Sequence, residues 1–128
     1  MLLQASLEFF ALVSLLIVIL LTVMYYNSSY YLQFYNLQIY EDARKISESV
    51  ATEINLALKA GDGYSRIFQI PEKILNSIDY NVSVSNYRVK VFWNSGETQS
   101  VIYTKEIFGY LKKGDNWIRN VNGEIYVN

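Results

Sequence analysis

The sequence has no histidine and no cysteine, and it has one proline in 128 residues. Without histidine or cysteine there is no usual zinc or haem ligand set, no disulfide, and no Cys–His or Ser–His nucleophile pair. We therefore expect no catalytic residue, no metal and no cofactor, and predict that the chain is not an enzyme. The absence of cysteine does not indicate whether the protein works in an oxidising or a reducing compartment.

Charge is scarce in the first third of the chain. Glu8 is the only charged residue before Glu41, although the sequence holds 11 Lys+Arg and 12 Asp+Glu in total. A soluble single domain needs charged side chains along its whole length, so this class is disfavoured. The net charge of −1 offers no cluster of cations for phosphate, and no nucleic-acid partner is directly indicated.

The segment Phe9–Tyr26 is apolar except for Ser14 and Thr22. As a helix it reaches roughly 27 Å, close to the ~30 Å hydrocarbon thickness of a bilayer. No Lys or Arg precedes it, and Tyr25-Tyr26-Asn27 is a poor cleavage site, unlike the arrangement in a secretory signal peptide. We predict a transmembrane helix that the mature protein retains.

The helical pattern continues beyond this segment, because no proline or glycine occurs between Met1 and Gly61. A single helix is predicted over about residues 4–60, with its first half apolar all round and its second half apolar on one face. Gly61 is predicted to cap its end, where Lys59 suits the helix dipole. The apolar face consists of Ile39, Ala43, Ile46, Val50, Ile54 and Ala57/Leu58.

Half of the tyrosines lie between Tyr25 and Tyr40. An aromatic belt at a membrane interface is one interpretation, but such a belt normally covers one or two helical turns and this segment covers about four. We predict packing between helices of different copies. Asn27-Ser28-Ser29 is either a polar patch at the membrane boundary or a local bend in the helix. The predicted packing residues are Tyr26, Tyr30, Tyr31, Phe34 and Tyr35.

Alternating apolar and polar residues after Gly63 predict four to five antiparallel strands. Asn122-Gly123 is a strong signal for a hairpin turn, and Ile70–Leu75 is predicted to form one short helical turn with Pro71 at its start. The predicted strands are Tyr80–Ser85, Tyr87–Trp93, Gln99–Thr104, Trp117–Val121 and Glu124–Val127.

These elements predict an α+β fold, a long N-terminal helix whose C-terminal half packs on a small antiparallel β-sheet head. The predicted domain organisation is a residual leader at residues 1–3, a hydrophobic filament-core or transmembrane helix at 4–38, and a globular β-rich head at 39–128 that includes the amphipathic end of the helix.

The first residues carry a motif, Gln4-Ala5-Ser6-Leu7-Glu8-Phe9. It resembles the Q-x-S-x-E-φ processing motif of archaeal class III signal peptides, found in archaeal type IV pilin-like proteins, which are related to type IV pilins and archaeal flagellins. The uninterrupted helix, the tyrosine-rich junction, the β-rich head and the ending Gly114–Ile125 also resemble this family, so the resemblance covers essentially the whole chain.

The resemblance implies a pilin, a structural subunit of a cell-surface filament that polymerises with itself through its N-terminal helix, with surface adhesion as its general task. It implies cleavage just before Gln4 by a prepilin peptidase, although family members usually carry Lys, Arg or Gly before the Gln. An assembly ATPase and a membrane platform are implied as partners. The subunit would wait in the cytoplasmic membrane and end in an extracellular filament. Minor pilin, archaeal flagellin and DNA-uptake pseudopilin remain open as sub-cases.

Glu8 is a lone carboxylate in an apolar helix, which costs several kcal/mol unless it is paired or neutral. The resemblance implies that it pairs with the α-amino group of Gln4 in an adjacent subunit. The alternative is a wetted or protonated carboxylate at the cytoplasmic edge of the membrane.

Two N-glycosylation sequons begin at Asn27 and Asn81. Asn81, on a predicted exposed strand, is the better acceptor, while Asn27 would be buried in a filament.

A different class of function also fits the sequence. A bitopic membrane-anchored protein, with its small extracellular β domain acting as a binding or sensor module, has the same order of elements.

Overall fold

The computed structural model describes the backbone of Met1–Asn128 and all side chains except those of Leu2 and Leu3. The predicted leader at residues 1–3 therefore lies partly outside the described side chains. One long helix precedes seven strands, so the predicted α+β fold is confirmed. The chain divides into two compact units, Met1–Leu37 and Gln38–Asn128, which are described separately. The elements are α1 (Leu2–Ala60), β1 (Ser65–Ile70), β2 (Tyr80–Ser85), β3 (Arg88–Trp93), β4 (Gly96–Val101), β5 (Phe108–Gly109), β6 (Gly114–Val121) and β7 (Glu124–Val127).

The C-terminal part of α1 packs through the face that the sequence predicts. Every residue of the stripe from Ile39 to Ala57 is buried, and Leu58 is partly buried against the same core. Burial of one apolar face is what stabilises an amphipathic helix in water. The helix ends at Ala60, and the next residue, Gly61, has a φ of +84° that suits glycine and an N–H that donates to the carbonyl of Ala57 at 3.3 Å. The predicted cap is confirmed.

The strands form two sheets. The larger has the order β1-β6-β7-β5 and the smaller the order β2-β3-β4. All pairings are antiparallel except that of β5 with β7, which is parallel. Residues from both sheets join those of α1 in one core, including Phe68, Tyr80, Val89, Ile118 and Ile125. The helix therefore supplies the common support for both sheets.

The number and bounds of the strands differ from the prediction. Strands β1 and β5 were not predicted, and the third predicted strand, Gln99–Thr104, is instead Gly96–Val101. The inward-facing residues of β4 are small or polar, and Thr98 is buried among them. Because this strand buries no large apolar side chain, its sequence lacks the period-2 pattern on which the prediction rests.

The helical turn predicted over Ile70–Leu75 is wrong. Ile70 ends β1, and the following residues form turns in which Ile74 and Ile78 make an isolated bridge. Leu75 has a φ of +49°, and its N–H donates to Asp42 Oδ2 on α1 at 2.9 Å. The tertiary hydrogen bond and the complete burial of Ile74 decide this backbone, and the local preference of Pro71 for a helix start does not.

Candidate functional site

The unit Met1–Leu37 has an apolar surface that its own chain does not cover. The helix is long and apolar enough to cross a membrane, and none of its most apolar stretch is buried. Every described side chain from Met1 to Leu37 is exposed except Val13, which is partly covered. Such a surface requires either lipid or the apolar surface of another protein.

The few hydroxyls in this apolar surface are hydrogen-bonded within the helix. Ser14 Oγ donates to the carbonyl of Phe10 and Thr22 Oγ1 to that of Val18, each at 2.8 Å. These bonds lower the cost of placing a hydroxyl in an apolar environment. The Asn27-Ser28-Ser29 segment remains helical.

The predicted processing motif occupies the first turns of α1. Side chains Gln4 to Phe9 are all exposed, and the N–H of Ala5 donates to the carbonyl of Met1 at 3.2 Å. Glu8 belongs to none of the ion pairs found between the described side chains of the chain. The motif and its carboxylate are therefore available to another molecule.

The five predicted packing aromatics are exposed but do not form one stripe. At about 100° per residue, Tyr26, Tyr30, Phe34, Tyr31 and Tyr35 cover about half of the helix circumference. Tyr25 and Tyr26 stand edge to face, with ring centroids 6.1 Å apart. A surface this broad would contact more than one neighbouring helix in an assembly.

Both sequon asparagines are exposed, Asn27 on α1 and Asn81 on β2. Asn81 lies directly opposite Phe92 of β3 on the outer face of the smaller sheet. Exposure does not distinguish the two asparagines, so the preference for Asn81 as the acceptor stays a prediction.

The outer face of the larger sheet carries large exposed side chains. In β6 the residues Asn116, Ile118 and Asn120 are buried, so that Trp117 and Arg119 point the other way. Cross-strand partners share a face, and the register pairs Ile67 with Trp117, Arg119 with Tyr126, and Tyr126 with Phe108. We call this set the aromatic sheet face; it consists of Ile67, Phe108, Trp117, Arg119 and Tyr126.

Two contacts between side chains fix the aromatic rings of this face, and the first is a stacked pair. The rings of Phe108 and Tyr126 stack with centroids 5.0 Å apart. Gly109 allows this approach, because its φ is +99° and an added Cβ would lie 1.9 Å from the carbonyl oxygen of Val127. Tyr126 Oη donates to Glu124 Oε2 at 3.0 Å, and this hydrogen bond raises the pKa of the Tyr126 phenol.

Trp117 and Arg119 form the second contact. The Arg119 guanidinium carbon lies 4.5 Å from the centre of the Trp117 ring, and Trp117 Nε1 donates to Ser65 Oγ. Arg119 Nε is buried with no hydrogen-bond partner, and Arg119 joins no ion pair among the side chains that the structure describes. Asp115 of β6 and Glu124 of β7 also occupy outward positions, so Arg119 shares this side of the sheet with two carboxylates.

The aromatic sheet face was not predicted from the sequence. Trp117 is 47% exposed and Ile67 is 67% exposed, whereas Asn116 and Asn120 are buried. A rule that assigns large apolar residues to the core would turn Trp117 inward and Asn116 and Asn120 outward, the opposite of the orientation that β6 has. The alternation of Asn116, Ile118 and Asn120 with Trp117, Arg119 and Val121 is the signal that both faces of β6 are occupied.

A shallow groove of about 560 Å³ lies beside the exposed side of α1, lined by Thr52, Asn55, Leu56, Leu58, Lys59 and Tyr103. The described residues contain no group of three or more His, Cys, Asp or Glu that could hold a metal ion. Comparison of the chain with models of protein families, with curated proteins and with solved structures finds no match.

Proposed function

We propose that the chain is a pilin, a structural subunit of an archaeal type IV-like cell-surface filament that polymerises through α1 and serves surface adhesion. The observation that supports this most is the apolar surface of Met1–Leu37, which no part of the described chain buries. The proposal assigns the chain no enzymatic reaction.

The physical basis is an exchange of environments. In a membrane, the backbone groups of a helix are satisfied internally and its apolar side chains contact lipid. In a filament the same side chains contact neighbouring helices, so they stay out of water in both states. Assembly therefore needs no covalent change in the helix after processing.

The remaining parts of the proposal come from the sequence resemblance. A prepilin peptidase would release residues 1–3, and an assembly ATPase and membrane platform would move the subunit from the cytoplasmic membrane into an extracellular filament. The exposed motif from Gln4 to Phe9 is consistent with access by a peptidase.

Electron microscopy of sheared surface material, with mass spectrometry to identify this chain, tests the function directly. We expect filaments that contain the chain, with the mature protein beginning at Gln4 on N-terminal sequencing. Recovery only from the detergent-extracted membrane fraction would contradict the filament, and a mature start at Met1 would contradict the processing step.

Glu8 provides a test at a single residue. If its carboxylate pairs with the α-amino group of a neighbour, Glu8→Ala and Glu8→Gln should each lower filament yield by about tenfold or more, since a tenfold change corresponds to about 1.4 kcal/mol. Quantitative immunoblotting of sheared filaments measures this yield. Glu41→Gln, a change at another exposed carboxylate of α1, is the control and should leave the yield unchanged. Normal assembly of both Glu8 variants would exclude the pairing.

The second candidate is a membrane-anchored protein whose extracellular β domain is a binding module. The aromatic sheet face supports it, because an exposed set of large side chains around a cation is typical of interaction surfaces. The microscopy experiment separates the two, since only the pilin is found in filaments.

A further inference from the structure

We infer that the aromatic sheet face is a contact surface for a second copy of the chain, and that the two copies meet with their β6 strands antiparallel about a two-fold axis. The inference goes beyond the proposed function, because it concerns the unit Gln38–Asn128 and applies equally to a filament subunit and to a membrane-anchored protein. A two-fold contact closes on two copies, so it is not the contact that would repeat along a filament.

The first argument is the apolar centre of the face. Ile67 and Trp117 are cross-strand partners, 67% and 47% exposed respectively. The indole is held in this exposed position, because its Nε1 donates to Ser65 Oγ and the guanidinium carbon of Arg119 lies 4.5 Å from the ring centre. A ring that is already fixed loses little conformational freedom on association, and aromatic anchors of this kind dominate the centres of protein interfaces. A two-fold axis at Trp117 would bury this pair of side chains in both copies.

The second argument is the order of charges along β6. Asp115 and Arg119 lie two residues on either side of Trp117 and on the same face of the strand. Each is therefore about 7 Å from Trp117 along the strand. If β6 of a second copy lies antiparallel over the first about Trp117, each Asp115 faces the Arg119 of the other copy. A parallel arrangement would bring like charges together, which is repulsive, so the charges select the antiparallel one.

The two charged groups are available for this contact. Asp115 is exposed and belongs to no ion pair between described side chains. Arg119 Nε is buried, but the two terminal nitrogens of the guanidinium are not among the buried atoms that lack a partner, and no hydrogen bond within the described chain occupies them. They are the donors that fit a carboxylate. The other carboxylate of this side, Glu124, lies at the rim beside Val121 and accepts from the hydroxyl of Tyr126, so it opposes the contact little.

The size of the face predicts the strength of the contact. The sheet has four strands, the longest of eight residues. Such a face measures roughly 14 by 27 Å, or about 400 Å². A standard interface buries ~800 Å² on each partner. We therefore expect a weak, reversible dimer, which the high local concentration in a membrane or on a cell surface would favour.

The test is the oligomeric state of the full-length protein in detergent micelles, measured by analytical ultracentrifugation at increasing protein concentration. The unmodified protein should form a reversible dimer. Asp115→Arg and Arg119→Asp should each raise the dissociation constant by at least about tenfold, because each places like charges against each other at both symmetric positions. A monomer at every concentration of the unmodified protein would overturn the inference.

An equimolar mixture of the two variants separates charge pairing from damage to the fold. The Asp115→Arg chain has two cations at these positions and the Arg119→Asp chain has two anions, so a dimer of one with the other has opposite charges at both. The mixture should dimerise within about threefold of the unmodified protein, and the chain that carries both substitutions should do the same. Restored dimers also show that both variants are folded. Loss in the single variants without recovery in the mixture would contradict the antiparallel arrangement.

The matched controls lie on the outer face of the smaller sheet. Lys90→Glu and Glu97→Arg reverse a cation and an anion there, and each should leave the dissociation constant within about twofold. A dimer that persists unchanged in both Asp115→Arg and Arg119→Asp would assign the contact to another surface, such as α1, and overturn the inference. The dimer is measured on unpolymerised protein, so failure here is distinguishable from failure of the filament proposal.

Discussion

Burial changes the acid–base chemistry of Tyr80. The side chain is 2% exposed, and its hydroxyl donates to the carbonyl of Pro71. Burial, with smaller contributions from the carboxylates of Glu72 and Asp42, raises the pKa of Tyr80 to about 12. Lys113 Nζ lies 5.1 Å from the centre of the ring. The phenol is therefore held neutral in a place where a phenolate would be poorly solvated.

This shift predicts a loss of stability in alkaline solution. The unfolded phenol loses its proton near pH 10 and the folded one near pH 12, so the stabilisation is complete below about pH 10 and is lost as the pH rises to about 12. The free energy of unfolding should fall by about 2–3 kcal/mol from this residue over that range. Urea unfolding at several pH values, followed by tryptophan fluorescence, measures it.

The loss should be absent from the Tyr80→Phe variant, which has no proton to release there. Tyr87→Phe, at an exposed ring, should keep the full pH dependence of the unmodified protein. An identical alkaline decline in Tyr80→Phe would show that the decline comes from other groups.

The side chain of Asn120 joins the end of α1 to the larger sheet. Asn120 is 2% exposed, and its Nδ2 donates to the carbonyl of Ala57 at 2.9 Å. Its Oδ1 accepts from the N–H of Gly123 in the β6–β7 turn, and its backbone bonds to Gly63 and Tyr64. Asn120 thus satisfies a carbonyl at the C-terminal end of the helix and connects that end to a hairpin.

Asn120→Ala should destabilise the unit Gln38–Asn128 by about 2–3 kcal/mol, because it leaves buried donors and acceptors without partners. Urea unfolding compared with that of the unmodified protein measures this change. Asn94→Ala, at an exposed turn position, is the matched control and should change the stability by less than about 0.5 kcal/mol. A change of the same small size in Asn120→Ala would contradict the connecting role.

Asn120 also shows why some elements could be predicted from the sequence and others could not. The helix and its buried stripe could be predicted, because apolar residues at helical spacing face one core. Strand β6 could not be oriented, because it buries Asn116 and Asn120 and exposes Trp117. Their polar groups are satisfied by tertiary hydrogen bonds, which a local pattern does not reveal. The aromatic sheet face depends on that orientation, so it was missed together with it.

At the scale of the whole molecule, the two units have opposite surface chemistry. Met1–Leu37 buries none of its most apolar stretch, whereas Gln38–Asn128 contains all of the core residues that the structure describes as buried and every charged residue except Glu8. Neither water nor lipid alone is a favourable environment for the surfaces of both units. The surface of Met1–Leu37 therefore suits a membrane or contact with other proteins, and the charged surface of Gln38–Asn128 suits water.

Two leucines of α1 test this division. A lysine near the centre of a transmembrane helix costs about 3 kcal/mol on insertion scales, so Leu16→Lys should strongly lower the fraction of the protein that resists alkaline extraction from membranes. Leu56→Lys changes a leucine that is also exposed but lies in the unit Gln38–Asn128, and it should leave that fraction unchanged. Immunoblotting of the extracted and retained fractions measures both. If the two variants behaved alike, the apolar surface of Met1–Leu37 would not be what holds the protein in the membrane.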